Sequence, residues 1–272
     1  LSGLVGSEMC IRDRYYFMTE QNIRQQKLLT ILLIGDDCLD VYQFGTVDRI
    51  SPEAPVPVFK YGRQESVGGM ARNVKRNLEE LGCNVAYMCG ETSVKTRLID
   101  QRSKQHILRV DNDNQSQSLR FEDIPYNLNS INLDAVVVSD YDKGYVSYEL
   151  IERLIAEFKG PVFVDTKKTD LKRLEGAYVK INALEYSKLV TKCSGIIVTQ
   201  GENGAQYNDV HVPAPTVEVS DVCGAGDTFL AALVYRYIES KDIIDAIEFA
   251  VRASSITVQH LGNYAPSLEE IK

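Results

Sequence analysis

"LLTILLIGDDCLD" (Leu28–Asp40) is a near-continuous apolar run that stops at Gly35 and gives way to two carboxylates. It is far shorter than the ~18 apolar residues that a membrane span needs. It also lacks the strict alternation of a half-exposed strand, so it reads as a strand buried on both faces, as in a parallel sheet. Five further runs have the same character: "NVAYMCG" (Asn84–Gly90), "DAVVVSD" (Asp134–Asp140), "PVFVD" (Pro161–Asp165), "AYVKIN" (Ala177–Asn182) and "GIIVTQG" (Gly195–Gly201). Between them, "ARNVKRNLEELG" and "SYELIERLIAEFKG" space their apolar residues as a helix does and end at glycine. Strand–helix alternation of this kind predicts an α/β fold, a doubly wound, mostly parallel sheet flanked by helices.

Two stretches break the alternation. "VYQFGTVDRISPEAPVPVFKYG" (Val41–Gly62) is extended and punctuated by proline, and the chain from Val94 alternates like exposed antiparallel strands. Together, about residues 41–62 and 94–121, they read as a small β lid beside the sheet, within one domain running from 18 to 272. The segment before it, "LSGLVGSEMCIRDR", has no helix caps, no apolar periodicity and no signal-peptide core. It resembles translated adapter sequence, so residues 1–17 are read as non-native or disordered, with a natural start at Met18.

Composition narrows the function classes. The 272 residues are 44% hydrophobic and carry a net charge of -8, which argues against a nucleic-acid or anionic-membrane binder. Six scattered cysteines without a CxxC pair, and three histidines apart from them, argue against structural zinc and for reduced thiols in a cytoplasmic protein.

Four strand ends terminate in polar or glycine-rich turns: "GDDCLD", "SDYDKG", "DTKKTD" and "TQGENGA". Any one of them could be an ordinary turn or cap. Four in succession favour a shared cleft, since ligands of open parallel sheets bind outside the carboxyl ends of the strands. A fifth feature, "SDVCGAGDTFLAAL" (Ser220–Leu233), sets two glycines and an aspartate at the start of an apolar helix. A helix N-terminus leaves about four N–H groups unpaired and carries roughly half a positive charge. Gly224-Ala225-Gly226 can therefore form an anion hole, with Asp227 beside the bound anion as a proton acceptor. Local physics equally allows a turn capped by Asp221, and leaves both readings open.

"DVCGAGDTF" resembles the D-x-x-G-A-G-D signature of the ribokinase (PfkB-type) carbohydrate kinases. The resemblance implies Asp227 as catalytic base and the amides of Gly224, Ala225 and Gly226 as the anion hole for the transferred phosphoryl group. Other motifs follow in the family's order. Gly35-Asp36 and Gly68-Gly69-x3-Asn73 resemble sugar-binding positions, with Asp36 and Asn73 orienting the sugar. Asn182-x-x-Glu185 resembles the motif associated with magnesium and phosphate, which implies Mg2+ held near Glu185 through water. Thr199-x-Gly201-x-x-Gly204 resembles the nucleotide-side strand and turn. Lys143 and Lys167 are candidate phosphate partners on the sugar and ATP sides. The family resemblance also implies a monovalent cation as an additional cofactor and a homodimer formed through the lid.

Within the family, "RISPEAPVPV" (Arg49–Val58), "SDYDKG" and "DTKKTD" look like the heptose 7-phosphate kinases, which places Arg49 on the sugar side. The implied partners are ATP and a small phosphosugar, with no nucleic acid and no membrane. Another phosphosugar as acceptor, or a non-catalytic binding protein of the same fold, are the alternatives. Met70 and Arg72 stand where that group has small residues, and Cys223 replaces a hydroxyl residue. Typical relatives have an extra strand and helix after Gly90 and an extra helix after Glu185. The chain is thus a compacted member, shortened on the sugar side.

Overall fold

A computed structural model describes residues 28–125, 128 and 132–272; the segment read as non-native and the expected start at Met18 lie outside them. All six apolar runs are strands. In chain order the strands are β1 (Thr30–Gly35), β2 (Asp37–Ile50), β3 (Pro57–Met70), β4 (Asn84–Cys89), β5 (Ser93–Asp100), β6 (His106–Asn112), β7 (Ala135–Asp140), β8 (Val162–Thr166), β9 (Tyr178–Asn182), β10 (Ile196–Thr199), β11 (Ala205–Tyr207) and β12 (Val210–Val212). The helices that matter below are α1 (Ala71–Glu80), α2 (Tyr148–Glu157), α3 (Ala183–Ser187), α4 (Ala225–Ser240) and α5 (Ile243–Thr257).

Eight strands form the main sheet in the order β12-β11-β10-β9-β8-β7-β1-β4. From β4 across to β10 every pair is parallel, and β11 and β12 add an antiparallel edge. Successive residues of one strand serve opposite layers. Ile31, Leu33, Val137, Phe163 and Ile197 pack under α1, α4 and α5, while Leu32, Ile34, Val136, Val138 and Val164 pack under α2. This two-sided burial is why the strands read as continuous apolar runs. From β1 the chain first adds β4 on one side, then crosses to β7 on the other. The strand order therefore reverses beside β1, where a doubly wound sheet opens its crevice.

The lid is a four-stranded sheet, β3-β2-β5-β6, and its strands reach further than the sequence suggests. β2 starts at Asp37, one residue after the core strand, and β3 continues to Met70, so "GDDCLD" is no turn. Asp37 can enter the fold because its charge is met: Tyr87 and Thr92 donate hydroxyl bonds at 2.9 and 2.6 Å, and the Arg72 guanidinium pairs with it. Arg72 thus gives Asp37 a partner that a small residue at that position would not supply. Residues 113–120, read as part of the lid, run outside its strands. The shortening is visible as well. Gly90-Glu91-Thr92 joins β4 directly to β5, and no further helix separates α3 from β10.

Candidate active site

Helix α4 is buried nearly all round, as its apolar sequence demands. Its N-cap is Gly224, with φ of 77°, a left-handed conformation that glycine adopts without strain. A side chain there would also strike the amide groups of Asn73 and Asn263. The first N–H groups of a helix have no intrahelical acceptor, and Gly224 has no side chain to cap those of Gly226 and Asp227. The Ala225 N–H leans back to the Val222 carbonyl at 3.4 Å. Asp221 keeps the turn in shape, accepting from the N–H groups of Cys223 and Gly262, both at 3.0 Å.

Asp227 is 6% exposed, and both carboxylate oxygens are engaged. Asn73 Nδ2 donates to Oδ2 and the Tyr141 hydroxyl to Oδ1, each at 2.9 Å. Burial pushes its pKa up to about 6; the Asn73 bond opposes this, nearby Asp165 adds to it, and Lys180 and Tyr141 restrain it. The group is therefore ionised at neutral pH and ready to take a proton.

The strand-end aspartates shape the cleft. Asp36 Oδ2 accepts from the backbone N–H groups of Tyr141 and Lys143 at 2.7 and 3.2 Å. Asp140 takes the Thr166 hydroxyl at 2.5 Å and the Lys168 ammonium at 3.2 Å. These bonds hold the 140–143 loop and so carry Tyr141 to Asp227. Asp36 Oδ1 is buried with no hydrogen-bond partner among the described residues, and burial raises the pKa of this carboxyl.

Of the other residues singled out on the sugar side, Asn73 is fully buried against Asp227. Gly68 and Gly69 end β3 as strand, not turn, and the Gly68 carbonyl accepts from Asn263 at 3.1 Å. A side chain at Gly69 would strike the Asp40 carboxylate, which pairs with Arg97 at 2.5 Å. Asp40 and Arg97 escaped the sequence reading. Lys143 pairs with Asp113 at 2.7 Å, and Arg49 is exposed near the end of β2.

On the opposite side, Asn182 and Glu185 form a reciprocal capping box on α3, with both bonds at 2.8 Å, and Glu185 also pairs with Lys167. Among the described residues no cluster of three or more His, Cys, Asp and Glu is arranged to hold a metal. With both oxygens so engaged, Glu185 has none free for direct coordination, and an Mg2+ ion carried by nucleotide phosphates would meet it through water. Thr199, Gly201 and Gly204 line a cavity of ≈ 490 Å³ together with Ala225, Gly226, Phe229, Val251 and Val258. That cavity opens beside the amides of α4 and is apolar enough for a base. It brings Thr199, Gly201 and Gly204 together with Ala225 and Gly226.

Residues 158–271 match the model of the pfkB family carbohydrate kinase. That stretch is a PfkB carbohydrate kinase domain. Such kinases transfer a phosphoryl group to a sugar hydroxyl. The chain is 34% identical over 296 residues to bifunctional protein HldE of a Nitratiruptor species, across 89% of this chain and 64% of that protein. It is 32% identical over 303 residues to bifunctional protein HldE of Hyphomonas neptunium, across 89% and 62%. The chain thus spans slightly less than two thirds of these relatives' length. In structure it is similar to a ribokinase of Thermotoga maritima (TM-score 0.67, 17% identity, 90% of this chain and 98% of that one). It is likewise similar to the Escherichia coli phosphofructokinase-2 in complex with potassium (TM-score 0.66, 19% identity, 90% and 97%). The fold is therefore ribokinase-like. Among the described residues no helix is long and apolar enough to cross a membrane.

Proposed function

We propose that this kinase transfers the γ-phosphoryl group of ATP to the anomeric hydroxyl of D-glycero-D-manno-heptose 7-phosphate, giving the 1,7-bisphosphate. The observation that carries the chemistry is Asp227, a buried carboxylate with a raised pKa at the mouth of an uncapped helix. The acceptor is supported by the lid stretch Arg49–Val58, which resembles that of heptose 7-phosphate kinases, and by the relatives named HldE.

In the reaction Asp227 accepts the hydroxyl proton as the sugar oxygen forms its bond to the γ-phosphorus. The bond from that phosphorus to the β–γ bridging oxygen breaks, and ADP leaves. The amides of Gly224, Gly226 and Asp227 hold the equatorial oxygens, which is positioning and electrostatics, the main source of rate in phosphoryl transfer. Mg2+ supplies charge neutralisation on the nucleotide phosphates when bound, and Glu185 would hold it through water. Asn73 and Tyr141 keep the base oriented. Asp36 and Asp40 lie on the acceptor side, and the lid closes over it to exclude water. Five unpaired cysteines among the described residues agree with a cytoplasmic location. A second copy of the chain covers the outer face of the lid.

The test is ATP turnover against heptose 7-phosphate, fructose 6-phosphate and ribose, in sodium and in potassium, with Asp227→Asn alongside. Turnover with the heptose that falls about 10²–10⁴-fold in the variant supports the reading. Preference for another sugar removes the acceptor claim alone. No turnover with any sugar leaves a binding protein.

A further inference from the structure

Lys180 interrupts the apolar strand "AYVKIN", and its ammonium ends at the mouth of α4. The residue is 6% exposed. Its register partner on the neighbouring strand is Asp165, and Nζ donates to Asp165 Oδ2 at 2.7 Å. On its other side Nζ lies 3.0 Å from the point where a side chain on Gly226 would begin. The ammonium is therefore packed against the backbone of the anion hole, on the layer of the sheet that α4 covers. A lysine has three N–H donors, and one of these is directed at Asp165.

A purely structural ion pair is a poor explanation for this placement. Buried pairs contribute little net stability, and apolar replacements of similar volume often do as well. Three carboxylates, Asp165, Asp227 and Glu185, act on Lys180, and Glu185 has its own cation in Lys167. Burial disfavours the charged lysine, yet Asp165 at contact distance and the other carboxylates outweigh it and raise its pKa. It remains a cation through the neutral range. A fixed cation beside open backbone N–H groups, in a site with little water, stabilises charge that develops there during transfer.

We propose that Lys180 is a further catalytic residue, whose ammonium contacts the phosphoryl group in flight and completes the anion hole formed by the amides of α4. Asp165 positions it. The same contact accounts for glycine at 226, since any side chain would press on the ammonium. The proposal rests on the kinase reading above, and its test separates the two.

The measurement is calorimetric binding of Mg·ADP, with and without aluminium fluoride as a stand-in for the transferred phosphoryl group. It is made on the wild type, Asp165→Asn, Asp227→Asn and the double variant Lys180→Met with Asp165→Asn. The double variant avoids a buried carboxylate left without its partner, and a thermal melt checks its folding. The wild type gains affinity from the fluoride, and the double variant loses about 10²-fold of that gain. Affinity for ADP alone moves by less than about threefold in each, because that contact exists mainly with the phosphoryl group in transfer. Asp165→Asn keeps the gain because the ammonium remains, and Asp227→Asn keeps it because the base is not part of the anion hole. If the double variant retains the wild-type gain, or if Asp165→Asn loses as much as the double variant, the Lys180 proposal is overturned while the kinase reading stands. If the wild type shows no gain at all, the phosphoryl-transfer reading falls and takes this proposal with it.

Discussion

A carboxylate that takes a proton from an alcohol works best when its own pKa lies close below the working pH, and burial brings Asp227 there. With a pKa pushed up to about 6, kcat/KM should be flat above that pH and fall about tenfold per pH unit below it, as protonation removes the base. The hydrogen bonds from Asn73 and Tyr141 favour the ionised form, so Tyr141→Phe should move the acid limb to higher pH; an unmoved limb would remove Tyr141 from the site. The motif around Asp227 made this carboxylate legible in the sequence as a candidate base. Tyr141 was not, because it arrives from a strand 86 residues away through bonds that Asp36 and Asp140 make to its loop. Lys180 left one trace, a single charge in a buried apolar run, which could also have been an edge residue. Glu185 shows the converse: its motif fits magnesium chemistry, and the structure adds a capping box. Gln at N3 also serves a capping box, so Glu185→Gln should leave the unfolding midpoint in place. A rise in the Mg2+ concentration needed for half-maximal rate would keep the water-mediated role, and no rise would leave Glu185 the cap alone.

At the scale of elements, the strands of the core were readable because burial on both faces makes each a continuous apolar run too short for a helix and bounded by glycine or polar residues. The lid was harder, since its two longest strands begin or end in charged and glycine residues that mimic turns. Asp37 resolves this ambiguity only in three dimensions. It sits where β1 passes into the lid, and Arg72, Tyr87 and Thr92, from α1 and the β4–β5 region, all converge on it. Asp37→Ala leaves the Arg72 guanidinium without its partner and Tyr87 without an acceptor. Breaking a buried pair from one side costs about 3–5 kcal/mol; the half-exposed Arg72 side chain brings the expectation to the lower end. Urea unfolding monitored by circular dichroism measures it. A loss below about 1 kcal/mol would reduce the network to a surface ion pair. Because Asp37 stands where the core sheet passes into the lid, the same variant should raise KM for the acceptor more than KM for ATP.

For the whole molecule, the lid has two unlike faces. Register places Asp40 opposite Lys95 and Tyr42 opposite Arg97, so these four share a face. Cys223 of the anion-hole turn interacts electrostatically with Arg97 and Asp40, which turns that face toward the cleft. Leu108 and Val110, paired with Leu98 and Thr96, lie on the opposite face and are 55% and 50% exposed. Exposed apolar residues on a sheet with open edges invite a partner, and a second lid satisfies both needs. The interface proposed for the homodimer is therefore this outer face. Leu108→Glu with Val110→Glu places four like charges across a symmetric contact and should convert dimer to monomer in sedimentation equilibrium. Cleft residues are untouched, so ADP affinity should hold while the acceptor KM rises with loss of the lid's support. A dimer that survives the double substitution would move the interface elsewhere, and a wild type that sediments as a monomer would leave the outer face without a second copy.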